Sequence, residues 1–335
     1  MRTALERFQP KRLIVYSRDE LKQSEMSEVF SNRQYPAMRY FLGDVRDRDR
    51  LEMALQGVDL VVHAAALKQV PAAEYNPFEC IHTNVFGAEN VVRASIRAGV
   101  ARVIALSTDK AVNPVNLYGA SKLASDKIFV AANNLSGEDG PRFSVVRYGN
   151  VLGSRGSVVP FFLKLIREQA DSLPITDPEM TRFWITLQES VDFVLSSAAS
   201  MKGGEIFVPK IFSMKMVDVA KALAPHLPQR IVGIRPGEKL HEALITEDDA
   251  RSTVELDDRF IILPTIKFWG NGSFENLPRV AEGFTYTSDK NPRRLEIEGF
   301  LKMMADDRAM AGMREQQHER KPGQTAGRSQ WAGQS

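Results

Sequence analysis

Short apolar runs recur through the first 150 residues with helical stretches between them, and this alternation restricts the fold more than any other feature. The runs are Leu13-Ile14-Val15-Tyr16, Met38 to Leu42, Leu60-Val61-Val62-His63, Arg102-Val-Ile-Ala-Leu106 and Phe143-Ser-Val-Val-Arg-Tyr148. Continuous apolarity, as in the Arg102 run, marks a strand buried on both faces. Strands alternating with helices, with no internal repeat, predict an α/β fold with a doubly wound parallel sheet and ligands at the strands' carboxyl ends. Residues 1–10 read as the end of a helix, with Leu5 and Phe8 inward and Pro10 as the stop. Asn76-Pro77 opens a long helix over Phe78 to Ala98. After residue 150 short strands (Pro174-Ile175, Phe183 to Thr186, Glu205 to Val208, Arg230 to Ile234) mix with helices (Val159 to Glu168, Leu187 to Met201, Met216 to Leu223). Val254 to Thr265 reads as a peripheral strand. A chain of 335 residues is long enough for two lobes sharing a core.

The chemistry concentrates in Ser107-Thr-Asp-Lys-Ala-Val-Asn-Pro-Val-Asn-Leu-Tyr-Gly-Ala-Ser-Lys122, which follows the Arg102 strand. A helix beginning near Leu117 places Tyr118 and Lys122 at i and i+4, one turn apart on one face. An ammonium beside a phenol favours phenolate and lowers its pKa. Such a phenol can take a proton from a sugar hydroxyl while a nicotinamide takes the hydride. Taken alone, the Tyr and Lys also suit an exposed amphipathic helix. Here they follow a strand ending in Ser107-Thr108, and the whole segment resembles the active site of the extended short-chain dehydrogenases/reductases. The resemblance implies a Rossmann-like fold, with Thr108 as the hydroxyl of the triad, Tyr118 as acid/base and Lys122 as its partner. Asp109-Lys110 narrows it. The sequence is similar there to the inverting UDP-N-acetylglucosamine 4,6-dehydratases that open pseudaminic acid biosynthesis, whereas enzymes retaining C5 usually carry Asp-Glu. A capping Asp and a solvated Lys would also read this way.

On the cofactor side, Ser17-Arg18 ends the first strand run. An acidic residue there would hold a ribose 2′-hydroxyl and an Arg would accommodate a 2′-phosphate, so NADP is expected over NAD. Gly43-Asp44-Val45 resembles the family's adenine-contacting turn. Ala64, Ala65 and Ala66 are small enough for close backbone approach to a cofactor, or for tight strand–helix packing. Lys68 resembles a cofactor contact. Asn84, within the long helix, is expected to reach the turn after the Arg102 strand and steady the active-site loop.

On the substrate side the resemblance rests on Arg147-Tyr-Gly-Asn150, Gly153-Ser-Arg-Gly-Ser157, Met180-Thr-Arg-Phe-Trp-Ile-Thr186 and Arg235-Pro-Gly-Glu-Lys-Leu-His-Glu242. A diphosphate wants guanidinium forks and backbone amides. Arg182 and Arg235 are the candidates, with Arg155, Gly156 and Ser157 on a loop closing over the uridine, Asn150 on sugar or phosphate and Glu238 on a ribose hydroxyl. The resemblance implies that Lys110 removes the C5 proton, as a neutral amine whose pKa is lowered by burial or a neighbouring cation. Asp109 would protonate the departing 6-hydroxyl. A UDP-sugar 4-epimerase, a 4,6-dehydratase/5-epimerase of another pathway, and an inactive truncated homologue are the alternatives.

This divides the chain into an NADP-binding domain (1–150), a smaller α/β nucleotide-sugar lobe (151–300) and a disordered tail (304–335). Net charge of +2 gives no sign of nucleic-acid binding, and no metal ligand set is expected. The single cysteine, Cys80, excludes an internal disulfide and fits a reducing compartment. No apolar run approaches the ~20 residues of a membrane span, and no signal-peptide core is visible, so the reading is cytoplasmic with no membrane. The resemblance implies a homo-oligomer. A dinucleotide fold opens with a strand and a Gly-rich turn that receives the pyrophosphate, yet the first glycine is Gly43, after two strands. The first strand is therefore expected to be missing. Either the true start lies upstream, the favoured expectation because the remaining site looks intact, or the product binds cofactor poorly.

Overall fold

The computed structural model describes residues 1–266, 274 and 276–307. Its first half runs α1 (Arg2–Phe8), β1 (Leu13–Ser17), α2 (Glu20–Val29), β2 (Met38–Leu42), α3 (Arg48–Leu55), β3 (Leu60–His63), α4 (Val70–Tyr75), α5 (Pro77–Ile81), α6 (Gly87–Ala98), β4 (Arg102–Thr108), α7 (Leu117–Ser136) and β5 (Arg142–Tyr148). A π-helical stretch, His82–Phe86, joins α5 to α6, so the expected long helix is present with a wider turn inside it. The starts follow side-chain chemistry. Asp19 caps α2, Asp47 caps α3 and Asn116 caps α7, each accepting from a backbone N–H three residues on. The second half adds β6 (Asn150–Val151), α8 (Val158–Arg167), β7 (Leu173–Ile175), β8 (Thr181–Ile185), α9 (Leu187–Ser200), β9 (Ile206–Pro209), β10 (Phe212–Lys215), α10 (Met216–Leu223), β11 (Gln229–Ile231), β12 (Ala243–Ile245), α11 (Glu247–Ala250), β13 (Thr253–Glu255), β14 (Arg259–Ile262) and β15 (Tyr286–Thr287).

The main sheet has six strands in the order β13-β14-β9-β5-β4-β3. The β3-β4-β5-β9 part is parallel, as expected, and β14 and β13 add antiparallel at the far edge. The expected single strand over Val254 to Thr265 is thus a hairpin of two short strands, β13 and β14. A boundary at residue 150 divides the chain but not this sheet, because β9, β13 and β14 return to it. The core lies where β4 and β5 meet α6 and α7: Val103, Ile104, Val145, Phe129 and Phe143 are wholly buried. A second cluster, including Leu173, Trp184, Met214 and Phe300, fills the smaller lobe. Residues 297–307 are helical and Met304 joins that cluster, so the start of the expected tail is ordered. The remainder, 308–335, lies outside the described residues.

Among the described residues, β1 and β2 pair only with each other, in parallel. Between them and β3 runs a cleft of about 1530 Å³, walled by Leu13, Ile14 and Tyr16 on one side and Leu60 to His63 on the other. Leu60 and Val62 are 40% and 43% exposed there, although both are apolar. Phe8 does not turn inward as expected: it is exposed, because α1 has no buried residue.

Candidate active site

β4 ends at Thr108, and a single 3₁₀ turn, Asp109–Ala111, carries the next residues across to α7. The turn and helix touch because residue 119 is glycine: a Cβ there would lie 2.2 Å from the Lys110 carbonyl oxygen. Tyr118, Lys110, Thr108 and Lys122 therefore line one cavity of about 910 Å³, together with Asn150, Arg155, Gly156, Ser157, Arg182, Arg235, Glu238, Ala64 and Lys68. Ser17, Arg18, Asp44, Val45 and Ala65 line the β1–β3 cleft instead, and Ala64 and Ala66 form the wall common to both. The anticipated cofactor and substrate residues thus occupy adjoining spaces.

The acid/base group is buried and tightly paired. Asp109 has no exposed surface. Its Oδ1 accepts from Thr108 Oγ1 at 2.9 Å and from Lys110 Nζ at 3.1 Å. Lys110 Nζ also points at Asn150 Oδ1 (3.4 Å) and at Glu242 Oε1 (3.3 Å). Burial raises the Asp109 carboxyl despite the ammonium beside it. The expectation for Lys110 is reversed. Burial alone would lower its pKa, but the carboxylates of Asp109 and Glu242 outweigh that and hold it above the ordinary amine value.

The Tyr118–Lys122 expectation also changes. Lys122 Nζ donates to the Leu106 carbonyl at 2.8 Å, and its pKa is lowered by burial while Asp126 opposes. Burial pushes the Tyr118 phenol up to about 12, against the pull of the Lys110 ammonium and a hydrogen bond with Thr108. The cation that favours phenolate is therefore Lys110, because the helix directs Lys122 to the strand backbone. Asp126, one turn beyond Lys122, is buried, accepts from Ser107 Oγ at 2.7 Å and pairs with Arg147 at 3.6 Å. The Tyr118, Lys122, Asp126 spacing at i, i+4 and i+8 was the signal that could have found it.

Asn84 does not reach the turn after β4. Within the π-helical stretch it grips the Leu67 backbone (2.8 and 2.9 Å) and Ser121 Oγ (2.9 Å), tying the Ala64–Lys68 loop to α7. Arg182 is buried and its terminal nitrogens donate to the carbonyls of Thr181, Leu240 and Lys239, which leaves Nε 3.7 Å from Glu242. Arg235 is exposed on the cavity rim, with its backbone N–H toward Glu238 Oε2 at 3.4 Å. Gly156 has φ 74, and a Cβ there would meet Gln69 Nε2 at 2.5 Å, so the Gly153–Ser157 loop leans on the loop after β3. Arg155 on that loop is close enough to add to the lowering of the Asp19 carboxyl, which is due first to the Lys22 N–H. At the end of β1, Asp44 pairs with Arg18 (3.2 Å) and with Arg46 (2.8 Å), a second guanidinium that sequence reasoning passed over.

The profile of the polysaccharide biosynthesis protein family matches residues 1–264. The chain belongs to this family. As a family member it is 59% identical over 295 residues to the "UDP-N-acetylglucosamine 4,6-dehydratase (inverting)" of Campylobacter jejuni, covering 86% of this chain and 87% of that one. It is 41% identical over 298 residues to a UDP-glucose 4-epimerase of Rickettsia canadensis, covering 86% and 85%. Among solved structures, Pen from Bacillus thuringiensis superposes with a TM-score of 0.83 at 32% identity, covering 92% of each chain. DesIV, a dTDP-glucose 4,6-dehydratase from Streptomyces venezuelae, shares the α/β fold at a TM-score of 0.63 and 23% identity, covering 71% of this chain and 80% of that one. Among the described residues no helix is long and apolar enough to cross a membrane.

Proposed function

We propose that this chain is a UDP-N-acetylglucosamine 4,6-dehydratase that inverts C5 and uses NADP. The observation that carries the reading is the ion pair of wholly buried Asp109 with Lys110, which lines the same cavity as Tyr118, in a chain 59% identical to the inverting Campylobacter enzyme. A 4-epimerase has no step that needs a second acid/base pair. When bound, the nicotinamide supplies a hydride acceptor and donor. The cleft chemistry fits it: small Ala64 at the shared wall and Ala65 within the cleft, Asp44 and Val45 beside β1, and Lys68, Tyr118 and Lys122 facing the substrate space, with Asn84 acting through the loop it ties down. Ser17 and Arg18 at the end of β1 suit a 2′-phosphate, with Arg46 close by. Asp19, also on the cleft wall, has its Oδ1 engaged by the Lys22 N–H as the cap of α2.

Tyr118 takes the proton of the 4-hydroxyl. The ketone at C4 then acidifies the C5 proton. A proton passing from Lys110 Nζ to Asp109 Oδ1, 3.1 Å away, leaves an amine and a carboxylic acid side by side. This transfer reconciles two raised groups with the roles the resemblance assigns them. The amine removes the C5 proton, the acid protonates the departing 6-hydroxyl, and water leaves. A proton delivered to the opposite face of C5 completes the inversion, giving UDP-2-acetamido-2,6-dideoxy-β-L-arabino-hexos-4-ulose for a pseudaminic acid-like glycan. Asn150 meets the amine, and the exposed Arg235 is free to reach a diphosphate over the loop of Arg155, Gly156 and Ser157, with Glu238 at the uridine end. Arg182 acts at one remove, by holding the 239–242 backbone. The reading includes a homo-oligomer and a cytoplasmic location, the latter in keeping with a single free, buried Cys80.

The test is proton NMR of UDP-N-acetylglucosamine in deuterated water with NADP⁺ or NAD⁺. A 4-keto-6-deoxy product with deuterium at C5 and inverted couplings, formed faster with NADP⁺, is expected. A C4 epimer without C5 exchange would replace this reading by the epimerase.

A further inference from the structure

Glu242 is 2% exposed, and three cations converge on it. Its Oε1 lies 3.3 Å from Lys110 Nζ and 3.7 Å from Arg182 Nε, and its Oε2 lies 3.6 Å from Lys239 Nζ. Among the described residues Oε2 has no hydrogen-bond partner, although it is buried. A buried carboxylate without full hydrogen bonding is costly unless charge offsets it. The three cations come from three places: the turn after β4, strand β8 and the segment leading to β12. Lys239 also donates to the Val112 carbonyl, just past the Lys110 turn, at 2.5 Å. The Glu242 backbone N–H is fixed by Ser288 Oγ at 2.9 Å. The carboxylate is thus held from behind and faces the acid/base pair.

We infer that Glu242 is a positioning residue for the dehydration: its buried carboxylate clamps the Lys110 amine opposite Asp109 in the ion-pair network and controls when that amine is free. The inference rests on the dehydratase reading for its place in the reaction, but the clamp itself does not. The charged and titratable groups facing Lys110 are Asp109, Glu242, Arg182, Lys239 and the Tyr118 phenol. Of these, Asp109 and Glu242 hold the proton on Lys110, and Arg182 and Lys239 weaken that hold. Glu242 itself is kept ionised by Lys110, Arg182 and Lys239 in spite of its burial. A Lys110 that must give its proton to Asp109 before reacting is opposed by the Glu242 charge, and Lys239 on the other oxygen offsets that opposition.

The amine can be read without turnover. Full-length protein is acylated with acetic anhydride at fixed pH, and the rate at Lys110 is measured by mass spectrometry against exposed Lys221. An opposite charge within ~4–6 Å shifts a pKa by about 1–3 units. Glu242→Gln should therefore acylate Lys110 roughly 10- to 1,000-fold faster than wild type, while Lys221 is unchanged. Lys239→Gln should slow Lys110, the opposite sign, and decides the matter if the Glu242→Gln variant does not fold. Equal Lys110 rates in wild type and Glu242→Gln, or a faster rate in Lys239→Gln, would overturn the clamp. The same samples are given UDP-N-acetylglucosamine and NADP⁺ in deuterated water. Shifted acylation with no C5 exchange in wild type would leave the clamp standing and remove the dehydratase reading.

Discussion

The two halves of the site are built in opposite ways. Next to the substrate cavity, three buried carboxylates are each paired: Asp109 with Lys110, Glu242 with three cations, Asp126 with Arg147. In the cleft beside it, the β1 and β3 edges have no strand between them among the described residues, and apolar Leu60 and Val62 stand exposed. The first half depends on one continuous segment, Ser107 to Lys122, whose backbone turn fixes the distances. The second depends on pairing between strands far apart in the chain. Chemistry centred on a short segment is aligned by that segment's own turn, whereas a cleft between sheet edges is only as complete as its partners.

The largest effect belongs to the paired half. Lys110→Ala should lower C5 deuterium exchange by about 10²–10⁴-fold, the usual contribution of a positioned acid/base, while C4 oxidation continues. Unchanged exchange would move the chemistry off this pair. C4 oxidation should also rise with pH through the neutral and alkaline range. The Tyr118 phenol is pushed up to about 12, so the phenolate is the minor form below that and grows as pH increases. Tyr118→Phe should remove both the rate and the slope, and a slope that survives would assign the base elsewhere.

Stability sharpens the contrast. Ile104 on β4 is wholly buried, and Ile104→Ala should cost roughly 2–5 kcal/mol in denaturant unfolding. Gly119→Ala acts on the junction itself. Its Cβ would press on the Lys110 carbonyl, so the turn or helix must move, at a cost of about 1–3 kcal/mol. A neutral Gly119→Ala, with full activity, would show that the contact between the turn and α7 does not set the site.

What could be read beforehand follows the same division. Strand and helix positions through residue 150 were legible because each buried run is a local signal, and Tyr118, Asp109 and Lys110 because they share one segment. The partners were not. Glu242 lies 132 positions beyond Lys110 and looked like the end of a motif, and its role is visible only once β12 is seen beside the turn. Lys122 was placed beside the phenol by helical spacing, but spacing does not show that Leu106 offers a nearer acceptor. Asn84 was misdirected because nothing in the sequence marks a π-helical turn at His82–Phe86. The hairpin of β13 and β14 was read as one strand because Leu256 to Asp258 carries no glycine or proline to announce the reversal.

Val62→Ala gives the smallest effect and separates the two halves most cleanly. At 43% exposure on the β3 edge, Val62 makes few of the contacts that hold Ile104, so its truncation should change stability by no more than about 0.5 kcal/mol. Hydrogen exchange should agree: amides of β1 and β3 should open more readily than those of β5, which is flanked on both sides. A loss of about 1.5–3 kcal/mol, the value for a fully buried Val, would mean that the β3 edge is covered in the folded protein. The contrast between a completed and an open half would then vanish, and the cleft would have to be counted as core.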